Sequence, residues 1–129
     1  MNDATAQMIL IAGPYRSGTD DDPAKMAENV RLMERYALPL FRAGYLPVVG
    51  EWLALPLVAL AGSTRVGDAA FDEIFHPIAE RLVEHCQGLL RVGGASQGAD
   101  LMARIARERG LPVYETLSEI PGCEQSEQA

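Results

Sequence analysis

The fold is decided by the sequence LLRVGGASQGAD at residues 89–100, a short apolar run that leads into a glycine-rich turn. A pattern typical of an amphipathic helix follows the turn and ends at Gly110. In α/β proteins, the order strand, glycine turn and helix presents backbone N–H groups to an anionic or sugar-bearing ligand. The stretch therefore predicts a small-molecule site, and Asp100 in the first helical turn is a candidate catalytic group.

Further segments with strand or helix patterns come before and after this stretch in the sequence. The continuous apolar run Met8–Ala12 is typical of a strand that is buried on both faces of a sheet. Further strands are predicted at Tyr45–Val49, Leu89–Val92 and Val113–Glu115. Helices are predicted over residues 69–87 and 97–109, and from Pro23 onward. In the helix from Pro23, Asp22 is the expected N-cap and Pro39 is expected to kink the last turn. Residues 52–60 fit either a short helix or an apolar lid.

The alternation of strands with helices predicts an α/β fold, in which a parallel sheet of four to five strands carries helices on both faces. Right-handed crossovers bring the turns that follow the strands to the carboxyl edge of such a sheet. Three segments are expected to converge there, namely Gly13–Gly18, Glu51 and Gly93–Asp100. This convergence predicts a ligand site at the carboxyl edge.

The composition is that of a single globular domain over residues 1–129, with a core at about 8–120 and a polar tail at 121–129. The net charge of −7 argues against nucleic acid as a partner, because phosphate backbones are bound by basic surfaces. One arginine is still enough to hold the phosphate of a nucleotide. The longest apolar stretch, residues 52–62, is too short to cross a bilayer, so no membrane partner is expected.

The two cysteines have neither the spacing of metal ligands nor that of a disulfide framework. Cys86 lies on an apolar helical stripe and is predicted to be a small buried side chain. Cys123 lies in the polar tail and is predicted to have no structural role. The chain shows no secretory signal, so a reducing cytoplasm is the expected location.

The turn after the first strand carries several groups that suit a ligand. Gly13 lets the backbone turn closely behind a buried strand, and Tyr15 offers an aromatic face to a base or a sugar. Arg16, Ser17 and Gly18 can hold a phosphate through a guanidinium, a hydroxyl and a backbone N–H. The alternative is a loop in which Arg16 pairs with the nearby aspartates, and the residues favour neither interpretation.

The turn at residues 93–100 also has two interpretations. Gly93 and Gly94 permit close approach of a ligand, and Ser96 is the expected N-cap of the next helix. Asp100 either complements the helix dipole or acts as a nucleophile that the same helix end keeps ionised. Because the dipole favours both roles, it does not distinguish them.

Two further acids are candidates for catalysis. Glu51 follows a strand at the carboxyl edge and is a second acid or an anchor for a hydroxyl group, whereas Asp72 is a helix cap or an assisting acid. Two carboxylates about 5 Å apart suit a retaining glycosyl transfer, in which one attacks and the other manages protons. His76 and His85 form no metal pair, and for His76 a structural role is favoured over a place in the cleft.

These motifs resemble the nucleoside 2-deoxyribosyltransferase-like superfamily, which includes the 2′-deoxynucleoside 5′-monophosphate N-glycosidases. The resemblance covers most of residues 8–115, and is greatest to a small bacterial branch of that group. It rests on IAGPYR at residues 11–16, GYLPVV at 44–49, GASQGAD at 94–100 and GLPV at 110–113. The order and spacing of these motifs are more specific than any of them alone.

The resemblance implies a flavodoxin-like three-layer α/β fold and a homo-oligomer. It implies cleavage or exchange of an N-glycosidic bond through a covalent glycosyl-enzyme, with a nucleoside or nucleotide as the substrate and no metal or redox cofactor. Asp100 stands where the family has its nucleophilic glutamate, and it is one methylene shorter. That difference leaves a second hypothesis open, a module that binds nucleotides in the same cleft without turnover.

The candidate residues form two sets. The catalytic candidates are Asp100, Glu51 and Asp72. The candidates for substrate binding are Gly13, Pro14, Tyr15, Arg16, Ser17, Gly93, Gly94, Ser96 and Gly98.

Overall fold

A computed structural model describes residues 5–125, and these form a four-stranded parallel sheet between helices. The strands are β1 (Met8–Ala12), β2 (Leu46–Val49), β3 (Gly88–Arg91) and β4 (Val113–Tyr114), in the spatial order β2-β1-β3-β4. Ile11 pairs with Val49 on one side and with Leu90 on the other, which fixes the register of the two central pairings. The predicted α/β fold with a parallel sheet is confirmed.

Five α-helices connect the strands within the described residues: α1 (Pro23–Glu34), α2 (Ala37–Arg42), α3 (Gly50–Leu60), α4 (Ala69–Val83) and α5 (Gln97–Glu108). A short 3₁₀ helix, Leu117–Glu119, follows β4. Asp22 caps α1 in front of Pro23, and Ser96 caps α5, as the sequence predicts. Such caps satisfy backbone N–H groups that have no partner inside the helix.

Two apolar layers hold the helices on the sheet. Along β1, Ile9 and Ile11 point to one side and pack with Met33, Leu40 and Leu117. Leu10 and Ala12 point to the opposite side and pack with Val83, Met102 and Ala106 of α4 and α5. Each buried Leu or Ile side chain stabilises the fold by about 1.5–3 kcal/mol. Helices therefore cover both faces of the sheet, and together they form a three-layer, flavodoxin-like arrangement.

Two elements differ from their predicted form. The single kinked helix from Pro23 is two helices, separated at Arg35 and Tyr36. The ring of Pro39 would collide with the carbonyl of the residue four positions earlier, Arg35, and the break lies at that point. Residues 52–60, which fit either a short helix or an apolar lid, lie in helix α3, and this helix begins two residues earlier at Gly50.

The segment around Pro121 corrects a further prediction. Ile120 and Cys123 are 0% and 1% exposed and belong to the core layer that contains Ile9. The prediction that Cys123 has no structural role is therefore wrong, because its neighbours in the sequence are polar while its own side chain packs inward. Cys86 is buried as predicted. Residues 126–129 of the predicted tail lie outside the described residues.

The strand order determines where a ligand can bind. The chain passes from β1 to β2 on one side and then returns across β1 to β3 on the other. In open α/β sheets, the crevice at such a reversal lies at the carboxyl ends of the two diverging strands and is the usual ligand site. In this chain the crevice lies between the ends of β1 and β3.

Candidate functional site

A cavity of about 320 Å³ occupies this crevice. Its volume lies at the lower end of the range that small-molecule pockets occupy in proteins. The lining side chains and backbone groups come from β1, from the turn that follows it and from the helices α3, α4 and α5. They are Leu10, Ile11, Ala12, Gly13, Tyr15, Arg16, Ser17, Gly50, Glu51, Phe71, Asp72, Phe75, His76, Ala79, Ser96, Gln97, Gly98, Ala99 and Met102.

Glu51 is the most perturbed acid in the cavity. It is the second residue of α3, two positions after the end of β2, so the strand end and the helix start together place it in the wall. Burial raises its pKa from 4.5 to about 7, and a hydrogen bond from its own backbone N–H opposes that rise only in part. A carboxyl group with such a pKa can both give and take a proton near neutral pH.

No cation balances Glu51 in the described part of the chain, where none of the ion pairs involves this residue. Tyr15 is its electrostatic neighbour, and the pKa of the Tyr15 hydroxyl is raised by burial and then by the charge of Glu51. Glu51 is half-buried, and an acid that is partly withdrawn from water without a cationic partner destabilises the fold when it ionises. Its position facing a cavity is therefore typical of a functional group.

An aromatic wall closes one side of the cavity and consists of Tyr15, Phe71 and Phe75. The rings of Phe71 and Phe75 are stacked with centroids 4.5 Å apart, and Tyr15 lies 5.2 Å from Phe75. Phe71 is 4% exposed, so Tyr15 and Phe75 carry most of the accessible ring surface in the cavity that Glu51 also lines. Planar heterocycles bind well to such surfaces.

One face of α4 supplies both the polar and the aromatic groups on this side. Asp72, Phe75, His76 and Ala79 follow at helical spacing and all line the cavity. Asp72 does not cap the helix, because the N-cap is Asp68, whose carboxylate accepts a hydrogen bond from the Phe71 N–H at 2.9 Å. The Asp72 side chain is exposed and contributes a second carboxylate to the cavity.

The N-terminus of α5 forms a further part of the wall. The Ser96 hydroxyl accepts a hydrogen bond from the Ala99 N–H at 3.1 Å, which caps the helix where it meets the cavity. His76 lies against this turn, so a Cβ atom on Gly98 would approach its Nε2 to 2.9 Å. Gly98 therefore lets α4 and α5 approach closely, and His76 lies in the cleft rather than in a structural role away from it.

Arg16 has a partner inside the chain. Its Nε and Nη2 donate to the two carboxylate oxygens of Asp21 at 2.7 and 3.0 Å. This is the pairing with a nearby aspartate that one of the two interpretations of the turn predicts. Ser17 and Gly13 line the cavity beside Arg16.

Four of the candidate residues do not line the cavity. Asp100 accepts a hydrogen bond from Nε of Arg91 at 2.9 Å, and its side chain is 69% exposed. Gly93 has a positive φ of 78° and lies against Pro14, where a Cβ atom would come within 2.7 Å of the proline ring. Pro14, Gly93 and Gly94 therefore shape the turns behind the cavity instead of its surface.

Some lining residues have no counterpart among the predicted candidates. Phe71 and Phe75 fit the apolar core stripe of α4 equally well, and their periodicity gives no sign of a cavity. Met102 likewise belongs to the apolar face of α5. The position of His76 could have been predicted from the sequence. It lies one helical turn after Asp72, and the two aromatic residues Phe71 and Phe75 precede it.

Comparison with known proteins gives no family assignment: no protein-family model matches the chain, and no curated protein matches it. Within residues 5–125, no three His, Cys, Asp or Glu side chains are grouped so that they could hold a metal ion. The same residues contain no helix that is long and apolar enough to cross a membrane.

Proposed function

We propose that the cavity binds a nucleoside or nucleotide and cleaves its N-glycosidic bond, by hydrolysis or by transfer of the sugar. The observation that carries this proposal is Glu51, an acid with a pKa of about 7 that lines a cavity with a second carboxylate, Asp72. Cleavage of an N-glycosidic bond requires a proton for the departing base and a carboxylate for the sugar. The resemblance of the sequence motifs to the deoxyribosyltransferase-like superfamily points to the same reaction.

The lining of the cavity supports a nucleoside as the ligand. The aromatic wall of Tyr15, Phe71 and Phe75 suits the plane of a base. Ser17 and the carboxylates of Glu51 and Asp72 suit hydroxyl groups of a sugar. Such a mixture, mostly apolar with a few convergent polar groups, is typical of small-molecule sites.

In the proposed reaction, the proton of Glu51 passes to the base as the bond between the base nitrogen and C1′ breaks. The carboxylate of Asp72 attacks C1′ and forms a glycosyl ester. Water or the N–H group of a second base then attacks C1′ and loses its proton to Glu51. The ester bond to Asp72 breaks, and the free sugar or the new nucleoside is released. In this scheme Asp72 takes the nucleophilic role that the motif resemblance assigns to Asp100, because Asp72 lines the cavity and Asp100 is bound to Arg91.

A second candidate function is a module that binds nucleotides without turnover. Its support is the position of Asp100, which is the residue that matches the family's nucleophile and lies outside the cavity lining. The two candidates share the cavity and the ligand class. They differ in whether Glu51 transfers a proton.

We further propose that the protein self-associates and is cytoplasmic. Helix α3 exposes a row of large apolar side chains, which are Trp52, Leu53, Leu57 and Leu60. A contiguous apolar surface on one helix face is typical of protein interfaces. Both described cysteines are free, which fits a reducing compartment.

A panel assay tests the proposed function. The purified protein is incubated with purine and pyrimidine nucleosides and 5′-monophosphates, each as ribo and deoxy forms, and free base is measured by chromatography. Release of base from at least one compound above the rate without protein supports the N-glycosidic activity. Binding of a compound without base release at pH 5 to 9 supports the binding module instead. If no compound binds or reacts, both candidates are wrong.

A further inference from the structure

Arg16 is the one guanidinium or ammonium group among the described residues that line the cavity. It follows β1 at the carboxyl edge, where a phosphate on the ligand would need a cation. An arginine holds phosphate most strongly through two parallel N–H bonds from its guanidinium fork. The state of this fork therefore decides whether the site can hold a phosphorylated ligand.

The guanidinium of Arg16 already donates two hydrogen bonds to a carboxylate of the same chain, that of Asp21. Asp21 accepts from Nε at 2.7 Å with one carboxylate oxygen and from Nη2 at 3.0 Å with the other. A carboxylate and a phosphate take the same two parallel bonds from a guanidinium, so they compete for it. Asp21 occupies the position that a ligand phosphate would take.

The turn that carries Asp21 is built to hold this pair. Thr19 is 2% exposed, and its hydroxyl donates to the Arg16 carbonyl at 2.6 Å and accepts from the Asp21 N–H at 3.1 Å. Asp20 and Asp21 both have a positive φ, 51° and 60°, which is uncommon for residues other than glycine. The chain therefore adopts a strained turn that brings the carboxylate of Asp21 under the guanidinium.

The loop before α4 also comes close to the guanidinium of Arg16, whose side chain is 47% exposed. A Cβ atom on Gly67 would lie 2.7 Å from both Nη1 and Nη2 of Arg16. Asp68 fixes this loop, since its carboxylate accepts from the N–H groups of Thr64 and Arg65 at 2.8 and 3.2 Å. Arg16 is thus held between the Asp21 carboxylate and the Gly67 backbone.

The acids that line the cavity also disfavour an anion. Asp72 lines the cavity, and Glu51 adds a second negative charge when it ionises, while the guanidinium of Arg16 is paired with Asp21. We propose that Asp21 is a specificity-determining residue, which fills the anion position of Arg16 and makes the cavity select an uncharged nucleoside over its 5′-phosphate. This inference rests on the proposed function, because it takes the nucleoside class of ligand from it.

The test compares the affinity of nucleosides with that of their 5′-monophosphates by isothermal titration calorimetry. Wild-type protein is expected to bind a nucleoside at least about tenfold more tightly than its monophosphate. The phosphate has no free guanidinium in the cavity and so lacks a charge-assisted hydrogen bond. Asp21→Asn keeps a side chain that tolerates positive φ and removes the competing charge. It is expected to reduce the preference for the nucleoside by about tenfold, through tighter binding of the monophosphate.

Asp20→Asn is the matched control, because it removes the same charge from the neighbouring residue, which does not contact Arg16. Its preference is expected to equal that of wild type, and a shift as large as that of Asp21→Asn would mean that bulk charge alone sets the preference. In the Asp21→Asn background, Arg16→Gln is expected to abolish the gained affinity for the monophosphate. Melting curves by circular dichroism confirm that each variant is folded.

The wild-type comparison alone can overturn the inference. Tighter binding of the monophosphate than of the nucleoside would contradict the role of Asp21 and leave the proposed function intact. Failure of every nucleoside and monophosphate to bind would instead contradict the proposed function, and the inference with it.

Discussion

Arg91 donates a hydrogen bond from Nε to the carboxylate of Asp100 at 2.9 Å, across the turn that joins β3 to α5. The same guanidinium donates to the carbonyl of Gly94 at 2.8 Å and to that of Val92. The Arg91 side chain is 14% exposed, so these bonds lie at the margin of the core. The arginine therefore holds the glycine turn in shape, and Asp100 supports that turn from the side away from the cavity.

Asp100→Asn is expected to leave base release within about threefold of wild type, because the nucleophile of the proposed reaction is Asp72. The amide oxygen still accepts from Arg91, so the free energy of unfolding is expected to fall by only about 1 kcal/mol. Chromatographic assay of released base and urea unfolding measure the two effects. Asp72→Asn is the matched variant and is expected to lose at least about 100-fold in rate. The reverse pattern, with Asp100→Asn inactive and Asp72→Asn active, would return the nucleophilic role to Asp100.

Glu51→Gln is expected to change the pH dependence of stability. Below pH 4.5, Glu51 is protonated in both folded and unfolded chains, so its burial carries no electrostatic cost. Between pH 4.5 and about 7, the unfolded chain releases the proton while the folded chain keeps it, so stability falls as the pH rises. Above that window, the ionised group is buried at a cost of as much as about 3 kcal/mol.

Urea unfolding of wild type and Glu51→Gln at pH 4.5 and pH 8 measures this difference. The variant is expected to be more stable than wild type at pH 8, by an amount that shrinks toward zero at pH 4.5. Glu73→Gln removes an acid of α4 that lies outside the cavity lining and is the control for the loss of a glutamate as such. An equal effect of Glu51→Gln at both pH values would show that Glu51 ionises as an ordinary glutamate.

The apolar face of α3 is expected to mediate self-association. Leu57 and Leu60 are 43% and 83% exposed, and charged groups at these positions would be buried without partners in an interface. Light scattering after size-exclusion chromatography is expected to show an oligomer for wild type and a monomer for the double variant Leu57→Glu/Leu60→Glu. Leu38→Glu, on α2, carries a similar change on another surface and is expected to remain oligomeric. A monomeric wild type would contradict the proposed interface.

The sequence predicts the layers of this fold well, because a strand that is buried on both faces appears in the sequence as a continuous apolar run. The run Met8–Ala12 is apolar throughout, since successive side chains of β1 enter opposite core layers. The N-caps Asp22 and Ser96 follow from short-range chemistry, and both are confirmed. The sequence predicts a kink at Pro39, whereas the structure has a break at Arg35 and Tyr36. A proline ring collides with the carbonyl four residues upstream, so the helix is interrupted there and not at the proline itself.

The cavity was predicted only in part, because its location follows from topology whereas its surface depends on side-chain direction. The edge position of Glu51 follows from its place after β2. Whether Phe75 faces the core or the cavity depends on the rotation of α4 about its axis, and the apolar stripe alone does not give that rotation. For Asp100, one step along α5 from Ala99 turns the carboxylate away from the cavity.

The measurement that tests the role of Glu51 most directly is the pH dependence of base release by wild type, Glu51→Gln and Glu73→Gln. If Glu51 supplies the proton, the wild-type rate decreases above about pH 7, because that is where the group loses its proton. Glu51→Gln is then expected to lose at least about 100-fold in rate, with nucleoside affinity retained, while Glu73→Gln follows wild type. Base release by Glu51→Gln at the wild-type rate, with the same dependence on pH, would contradict the proposed chemistry of the cavity.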